Sequence, residues 1–153
     1  MPLGAILNRV TWRDPVADKP GSSWPVRPAG CVVFPLRDHA SVTTWIRTYD
    51  DESEIWSYLE LDDEEWALRH VDLQGLQRQP VTAASLAEVI EIRDCGDLAA
   101  MASYERQYGV LAEGTLHGWR EADGVAEIAR QEFESTWAAA RETLDANRTE
   151  ETS

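Results

Sequence analysis

The sequence predicts an α+β domain: an antiparallel sheet of three to five strands, with two or three helices packed on one face. Two observations predict this class. Apolar and polar residues alternate with a period of two over residues 41–73, whereas apolar residues recur at spacings of three and four in residues 125–144. Six of the seven prolines lie within the first 35 residues. The expected organisation is therefore a proline-rich irregular arm packing on the body (1–40), one α+β domain (41–145) and a disordered tail (146–153).

Three strands are expected, at about residues 41–49, 54–61 and 66–73. The acidic segments between them, Asp50 to Ser53 and Asp62 to Glu65, suit hairpin turns. Because side chains alternate along a strand, the first two strands each divide into two different faces. One face is aliphatic, and the other is aromatic with arginine and carries Trp45, Arg47, Tyr49, Trp56 and Tyr58.

Two shorter helices are expected next. Ser85 and Glu88 have the spacing of a capping box, which predicts a helix extending through Arg93. Asp97 is a suitable N-cap for a helix over residues 98–108, and Gly109 is placed to end that helix in a left-handed conformation.

A longer final helix is expected over residues 125–144. Its apolar residues form one stripe, which we expect to cover the aliphatic face of the sheet. The stripe consists of Val125, Ile128, Ala129, Phe133, Trp137, Ala140 and Leu144.

The charge of the chain is unevenly distributed. Residues 1–40 carry five basic and three acidic residues, residues 41–153 carry nine and 25, and the net charge is −14. Such a body repels nucleic acid and anionic membranes and attracts cationic partners. The first residues lack a basic start followed by a long apolar run, and no stretch has the roughly 18 apolar residues of a membrane span, so we expect a cytoplasmic protein.

No metal or cofactor is predicted. The two acidic turns flank one strand, which would separate them by about 26 Å. The three histidines stand singly, the two cysteines show no metal-binding spacing and are expected to be reduced, partly buried thiols, and no glycine-rich phosphate loop is present.

One pair of residues could support acid/base chemistry. His70 and Asp72 lie two apart on a predicted strand and therefore share a face, near Arg47 or Arg69 depending on register. A small enzyme or a small-molecule-binding domain using this group is one alternative, and an ordinary cross-strand polar pair is the other.

The aromatic face is the strongest candidate for a binding site. Its four aromatic residues are either exposed or covered, and the cover would be the arm or the helix that begins at Asp97. If they are exposed, aromatic anchors with an acidic rim suit a basic protein partner. The candidate binding residues are Trp45, Tyr49, Trp56, Tyr58, Asp50, Asp51, Asp62 and Asp63.

Two stretches carry a resemblance. Residues 45–73, with WIRTY, SEIWSYLELDDEEW and ALRHVDL, and the closing QEFESTW of residues 131–137 are similar to a family of small uncharacterised bacterial proteins, chiefly actinobacterial. The resemblance implies a small α+β domain and no activity. By analogy, such domains suggest immunity proteins that neutralise toxins.

These observations together predict a non-catalytic acidic protein that docks on a basic partner, as an immunity protein or antitoxin does. A self-assembling structural protein is a second alternative, because a tryptophan-rich face could equally form a homodimer.

Overall fold

The computed structural model describes residues 42–112 and 114–151, so the predicted proline-rich arm lies outside the described residues. The described residues form a five-stranded antiparallel sheet and three α-helices, which confirms the predicted α+β class. The elements are β1 (Thr44–Asp50), β2 (Ile55–Leu61), β3 (Ala67–Gln74), β4 (Gln79–Ser85), α1 (Leu86–Cys95), α2 (Leu98–Tyr108), a short 3₁₀ helix (Trp119–Glu121), β5 (Val125–Glu127) and α3 (Arg130–Glu151).

The strands are arranged in the order β4-β3-β2-β1-β5. β1, β2 and β3 lie close to their predicted positions, but β4 has no counterpart in the sequence prediction. Its second residue is Pro80, which cannot donate a hydrogen bond and is tolerated in a sheet at an edge strand. β4 is an edge strand, so the proline is accommodated there.

The three hairpin turns are built alike. Each turn has a residue of positive φ near its end: the φ is 53° at Glu54, 63° at Glu65 and 51° at Arg78. The Gly75 N–H donates to the Glu54 carbonyl over 2.8 Å, which places the β1–β2 turn and the β3–β4 turn at the same end of the sheet. The β2–β3 turn lies at the opposite end, because β2 separates it from the β1–β2 turn.

The aliphatic face of the sheet is covered by the segment between α2 and β5. Leu116 and the Trp119 indole, 6% and 4% exposed, pack on this face. The prediction that the final helix covers it is therefore wrong. The cluster contains Ile46, Leu59, Leu61, Ala67, Leu116 and Trp119, with Ala112, Ala122 and Val125 at its margin.

α3 packs instead on the aromatic face. Its buried stripe contacts the aromatic and aliphatic residues there, in a cluster of Tyr58, Val71, Leu73, Ala83, Phe133, Ala140 and Leu144, with Trp45, Trp56, Tyr108, Ile128 and Trp137 at its margin.

Charge pairs and cation–π contacts accompany the packing of α3 on this face. The Arg69 guanidinium donates to Glu134 over 2.8 Å and 3.1 Å, pairs with Glu60, and lies 4.9 Å and 5.2 Å from the ring centroids of Phe133 and Trp137. The Arg69 hydrogen bonds lower the pKa of Glu134 below its ordinary value, against a smaller opposing effect of burial. An apolar stripe could pack on either face, but only the aromatic face has these arginines.

The predicted final helix differs at both ends from α3. Residues 125–127 form β5, which pairs with β1, and the helix starts at Arg130. Beyond the predicted domain boundary at residue 145, the helix continues to Glu151.

The two shorter helices lie along the β4 edge, where α2 also packs against α3. The predicted N-cap of α2 is confirmed, since Asp97 accepts a hydrogen bond from the Ala100 N–H over 2.8 Å. Gly109 ends the helix as predicted, but its φ of 76° is combined with a ψ of −171°, so the expected left-handed helical conformation is not adopted. The Ser85 capping box is not formed. Glu88 accepts instead from the Tyr104 hydroxyl over 2.6 Å, and burial together with this bond raises the pKa of Tyr104.

Cys95, at the exposed end of α1, is disulfide-bonded, so the expectation of a reduced, partly buried thiol is wrong at this position. Cys31 lies outside the described residues.

Candidate protein-binding surface

The four candidate aromatic residues lie on one face of the sheet, as alternation predicts. In the register of β1 with β2, Tyr49 is opposite Trp56 and Arg47 is opposite Tyr58. The four differ in exposure: Tyr58 is 2% exposed under α3, and Trp45 packs at the margin of the same cluster. Tyr49, at 41%, remains accessible. The helix from Asp97 is thus a minor part of the cover, and α3 is the main one.

Tyr49 and Trp56 form the centre of a small surface at the end of the sheet that carries the β1–β2 turn, which we call the open end. Their ring centroids are 4.7 Å apart. Two guanidinium groups lie over the Trp56 ring, that of Arg47 at 5.4 Å and that of Arg78 at 4.6 Å from its centroid. Cation–π contacts of this kind hold the indole in one position.

Each arginine is itself oriented by a second contact. Arg47 donates to Glu132 of α3 over 2.9 Å, and Arg78 donates to the Tyr58 hydroxyl over 3.2 Å. Arg78 has no carboxylate within 4.0 Å in the described part of the chain. The open end therefore combines two aromatic rings with two held cations.

The acids of the β1–β2 turn border this surface. Asp50 accepts a hydrogen bond from the Glu52 N–H over 3.2 Å, whereas Asp51 is exposed. The neighbouring β3–β4 turn presents Leu76, whose side chain is 98% exposed. The open end thus has a centre of aromatic rings and guanidinium groups, acids in the β1–β2 turn and an exposed leucine in the β3–β4 turn.

The other acidic turn lies at the opposite end of the sheet, which we call the closed end. Two of its acids, Asp62 and Glu65, bind groups of the protein itself. Asp62 accepts from the N–H groups of Glu64 and Trp66, both over 2.9 Å. Glu65 contacts His117 over 2.6 Å and Arg120 over 2.9 Å, and these partners, His117 first, lower its pKa. Asp63 is exposed. The structure therefore does not bring Asp62 and Asp63 together with Tyr49 and Trp56.

The second group predicted from the sequence, His70 and Asp72, lies on the opposite, aliphatic face of the sheet. His70 Nε2 is 2.8 Å from Asp72 Oδ1, as expected for residues two apart on a strand. Arg47 and Arg69 point to the aromatic face. Arg69 is adjacent to His70 on β3, and Arg47 is opposite Tyr58, which lies between the cross-strand partners of Asp72 and His70 on β2. The expected arginine neighbour is therefore wrong.

Two hydroxyl residues missed by the sequence analysis complete this group. The Ser57 hydroxyl donates to Asp72 over 2.6 Å, and Thr82 faces Asp72 from β4. Burial alone would raise the pKa of Asp72, but the charge and hydrogen bond of His70 and the hydroxyls of Ser57 and Thr82 lower it.

The group has the geometry of a buried polar network. His70 is 4% exposed, and the serine is bonded to the aspartate and not to the histidine. A nucleophile and its base must be within hydrogen-bond reach of each other, which this arrangement does not provide. Catalysis at His70 therefore stays a prediction, and the buried imidazole offers it no support.

Neither Arg78 nor Leu76 was predicted as a site residue. Both lie in the β3–β4 turn, and because β4 was not predicted, no pattern in the sequence placed that turn beside Tyr49. The signal available was Trp56, since a partly exposed indole commonly attracts a guanidinium.

Within residues 42–112 and 114–151, no group of three or more histidine, cysteine, aspartate or glutamate residues is arranged to hold a metal ion. In the same residues, no helix has the length and apolar character needed to cross a membrane. Compared with known proteins, the chain matches no protein family, no curated protein and no solved structure.

Proposed function

We propose that this protein is a non-catalytic binding module that docks through its open end on a basic protein, in the manner of an immunity protein or antitoxin. The observation that carries the proposal is the composition of the open end. Tryptophan, tyrosine and arginine are the residue types that dominate binding energy at protein interfaces. Here Tyr49, Arg47 and Arg78 each contact Trp56.

The preset geometry of these residues favours tight binding. Trp56 is held by two guanidinium groups, and Arg47 is anchored to Glu132. Side chains that are fixed before binding lose less conformational entropy when a partner orders the interface. The open end therefore offers rigid anchors, with Leu76 as a fully exposed apolar contact beside them.

The charge of the body supports a cationic partner. Residues 41–153 carry 25 acidic and nine basic residues, and most of the described arginines are already paired with carboxylates. The exposed acids of the β1–β2 turn lie beside the aromatic anchors. A negative field of this size steers a basic protein towards the surface and raises its association rate.

The experiment begins with a tagged full-length chain used to capture proteins from its native host at low and high salt. A captured basic protein is then purified, and its binding is measured by surface plasmon resonance. We expect Tyr49→Ala and Trp56→Ala to weaken binding by about 2 kcal/mol each. Asp51→Asn should lower the association rate at low salt and leave the dissociation rate unchanged.

The matched control is at the closed end. Asp63→Asn removes the same charge from the other acidic turn, so it should alter the association rate less than Asp51→Asn does. Equal effects of the two variants would place docking elsewhere on the acidic body. Sizing of the purified protein without any partner tests the alternative. A homodimer that Tyr49→Ala converts to monomer would instead favour self-assembly.

A further inference from the structure

A groove lies between α3 and the end of the β3–β4 hairpin, next to the open end. Its volume is about 320 Å³, within the range of small-molecule sites. One wall consists of small residues of α3, and the other of the hairpin. The residues that shape it are Leu73, Arg78, Pro80, Ser135, Ala139 and Ala140.

The lining of the groove combines aliphatic and hydroxyl side chains with one guanidinium group, and Thr143 is among the hydroxyl residues. Leu73, Pro80, Ala139 and Ala140 provide the apolar lining, and Ser135 and Thr136 add hydroxyl groups. Among the described residues that line it, Arg78 is the only cation. The groove thus fits a short apolar chain that ends in an anion.

Arg78 is oriented for an external anion. Its Nη1 donates to the Tyr58 hydroxyl and its guanidinium lies 4.6 Å from the Trp56 centroid, so neutral groups hold it in place. No carboxylate of the described chain lies within ion-pair distance, although Arg47, Arg69, Arg93, Arg120, Arg130 and Arg141 all have one. A guanidinium fixed in this way keeps N–H donors for a planar carboxylate.

We propose that this groove binds a small amphipathic carboxylic acid, with its carboxylate on Arg78 and its alkyl or aryl chain along Ala139 and Leu73. The charge complementarity of Arg78 selects a carboxylate, and the volume selects a small molecule. The inference goes beyond the proposed function because its ligand is not a protein. Its test needs no partner, so either proposal can fail alone.

The test is an NMR titration of the full-length protein with sodium hexanoate, with 1-hexanol as the uncharged match. Hexanoate should shift the amide resonances of Leu73 and Ala139 and the indole N–H of Trp56. For a ligand of this size, a Kd on the order of 1 mM is expected. 1-Hexanol should bind about tenfold more weakly, since it lacks the charged hydrogen bonds.

Two pairs of variants separate the contributions of the charge and of the groove. Arg78→Gln should raise the Kd for hexanoate about tenfold, and Arg78→Lys, which keeps the charge and loses the planar fork, by less. Arg106→Gln, at an exposed arginine of α2, should leave the Kd unchanged. Ala139→Leu fills the groove and should abolish the shifts, whereas Ala138→Leu, on the neighbouring exposed position, should preserve them.

Three results would overturn the proposal. The first is equal affinity for hexanoate and 1-hexanol, which would mean that Arg78 recognises no carboxylate. The second is the absence of shifts at groove residues up to the solubility limit of hexanoate. The third is a dimer that Ala139→Leu converts to monomer, which would assign the groove to a second copy of the chain.

Discussion

The two acidic turns beside β2 resemble each other in sequence and local structure, yet they have opposite surroundings. Each begins with an aspartate that accepts a backbone N–H two residues later, Asp50 from Glu52 and Asp62 from Glu64. Each has a glutamate of positive φ near its end. At the closed end the turn is bound by the segment that follows α2, whereas at the open end the acids border exposed aromatic rings.

The difference arises from residues more than 45 positions later in the chain. Leu116 N–H donates to the Glu65 carbonyl over 2.9 Å, and Thr115 forms a β-bridge with Trp66. His117 and Arg120 then contact the Glu65 carboxylate. Local chemistry builds both turns, but tertiary contacts engage the Glu65 carboxylate and backbone at the closed end only.

The largest expected effect is on the free energy of unfolding. It distinguishes two tryptophans whose rings each contact an arginine guanidinium. Trp119 at the closed end is 4% exposed under Arg120, and Trp56 at the open end is partly exposed under Arg78. Trp119→Ala should lower the free energy of unfolding by about 4 kcal/mol because it leaves a cavity. Trp56→Ala should cost about 1.5 kcal/mol, since less apolar area is buried. Urea denaturation measures both, and equal losses would contradict the distinction between the two ends.

The next effect compares the two aspartates that begin the turns. Asp62→Ala removes two backbone hydrogen bonds, to Glu64 and Trp66, and should destabilise the protein by about 1.5 kcal/mol. Asp50→Ala removes one exposed, longer bond and should cost about 0.5 kcal/mol. Thermal unfolding of the two variants measures both losses of stability. A larger loss for Asp50→Ala than for Asp62→Ala would contradict the expected order.

A third effect concerns pH at the closed end. The folded-state pKa of Glu65 is lowered by its hydrogen bond to His117 and its contacts with Arg120, so the folded protein binds a proton here less readily than the unfolded chain. The resulting stabilisation is present above the unfolded pKa of about 4.3 and is lost as the pH falls through the lower folded pKa.

The Glu65 carboxyl should therefore titrate below its ordinary pKa in a ¹³C NMR experiment. His117→Ala removes the first contributor and should move the midpoint up towards the ordinary value. A midpoint that His117→Ala leaves unchanged would show that another group lowers the pKa of Glu65.

The smallest effect on stability is expected at the two exposed acids. Asp51→Asn and Asp63→Asn should each change the free energy of unfolding by less than about 0.5 kcal/mol, because neither side chain has a described hydrogen bond. Urea denaturation measures this value. A loss above about 1 kcal/mol for either would mean that the exposed acid has a structural role.

Much of the sheet was predictable because the hairpins depend on local chemistry. Alternation placed Tyr49 and Trp56 on one face, and the acidic turns gave the strand ends. β4 was not predictable since Pro80 argues against a strand unless the strand is known to lie at an edge. β5 has three residues, too few for a period-two pattern to be distinguished from the start of a helix.

The face chosen by α3 could not be read from its apolar stripe, which fits either side of the sheet. Polar residues accompany the packing on the aromatic face: Glu132 and Glu134 pair with Arg47 and Arg69 across 85 and 65 positions of sequence. Part of the candidate site was predictable because it depends on a local pattern and not on tertiary contacts. Alternation gave the rings of the open end, whereas Arg78 joined them only through the tertiary position of its turn.

β5 is the point where the chain changes faces of the sheet. The segment before it covers the aliphatic face through Trp119, and α3 after it covers the aromatic face. Ile128 N–H, just past the strand, donates to the Trp45 carbonyl over 2.9 Å. β5 and Ile128, through their hydrogen bonds to β1, therefore anchor both segments that cover the sheet. A backbone cut at Gly124 would therefore leave β5 and α3 to dock as a separate fragment, at a cost in translational and rotational entropy that the intact chain avoids.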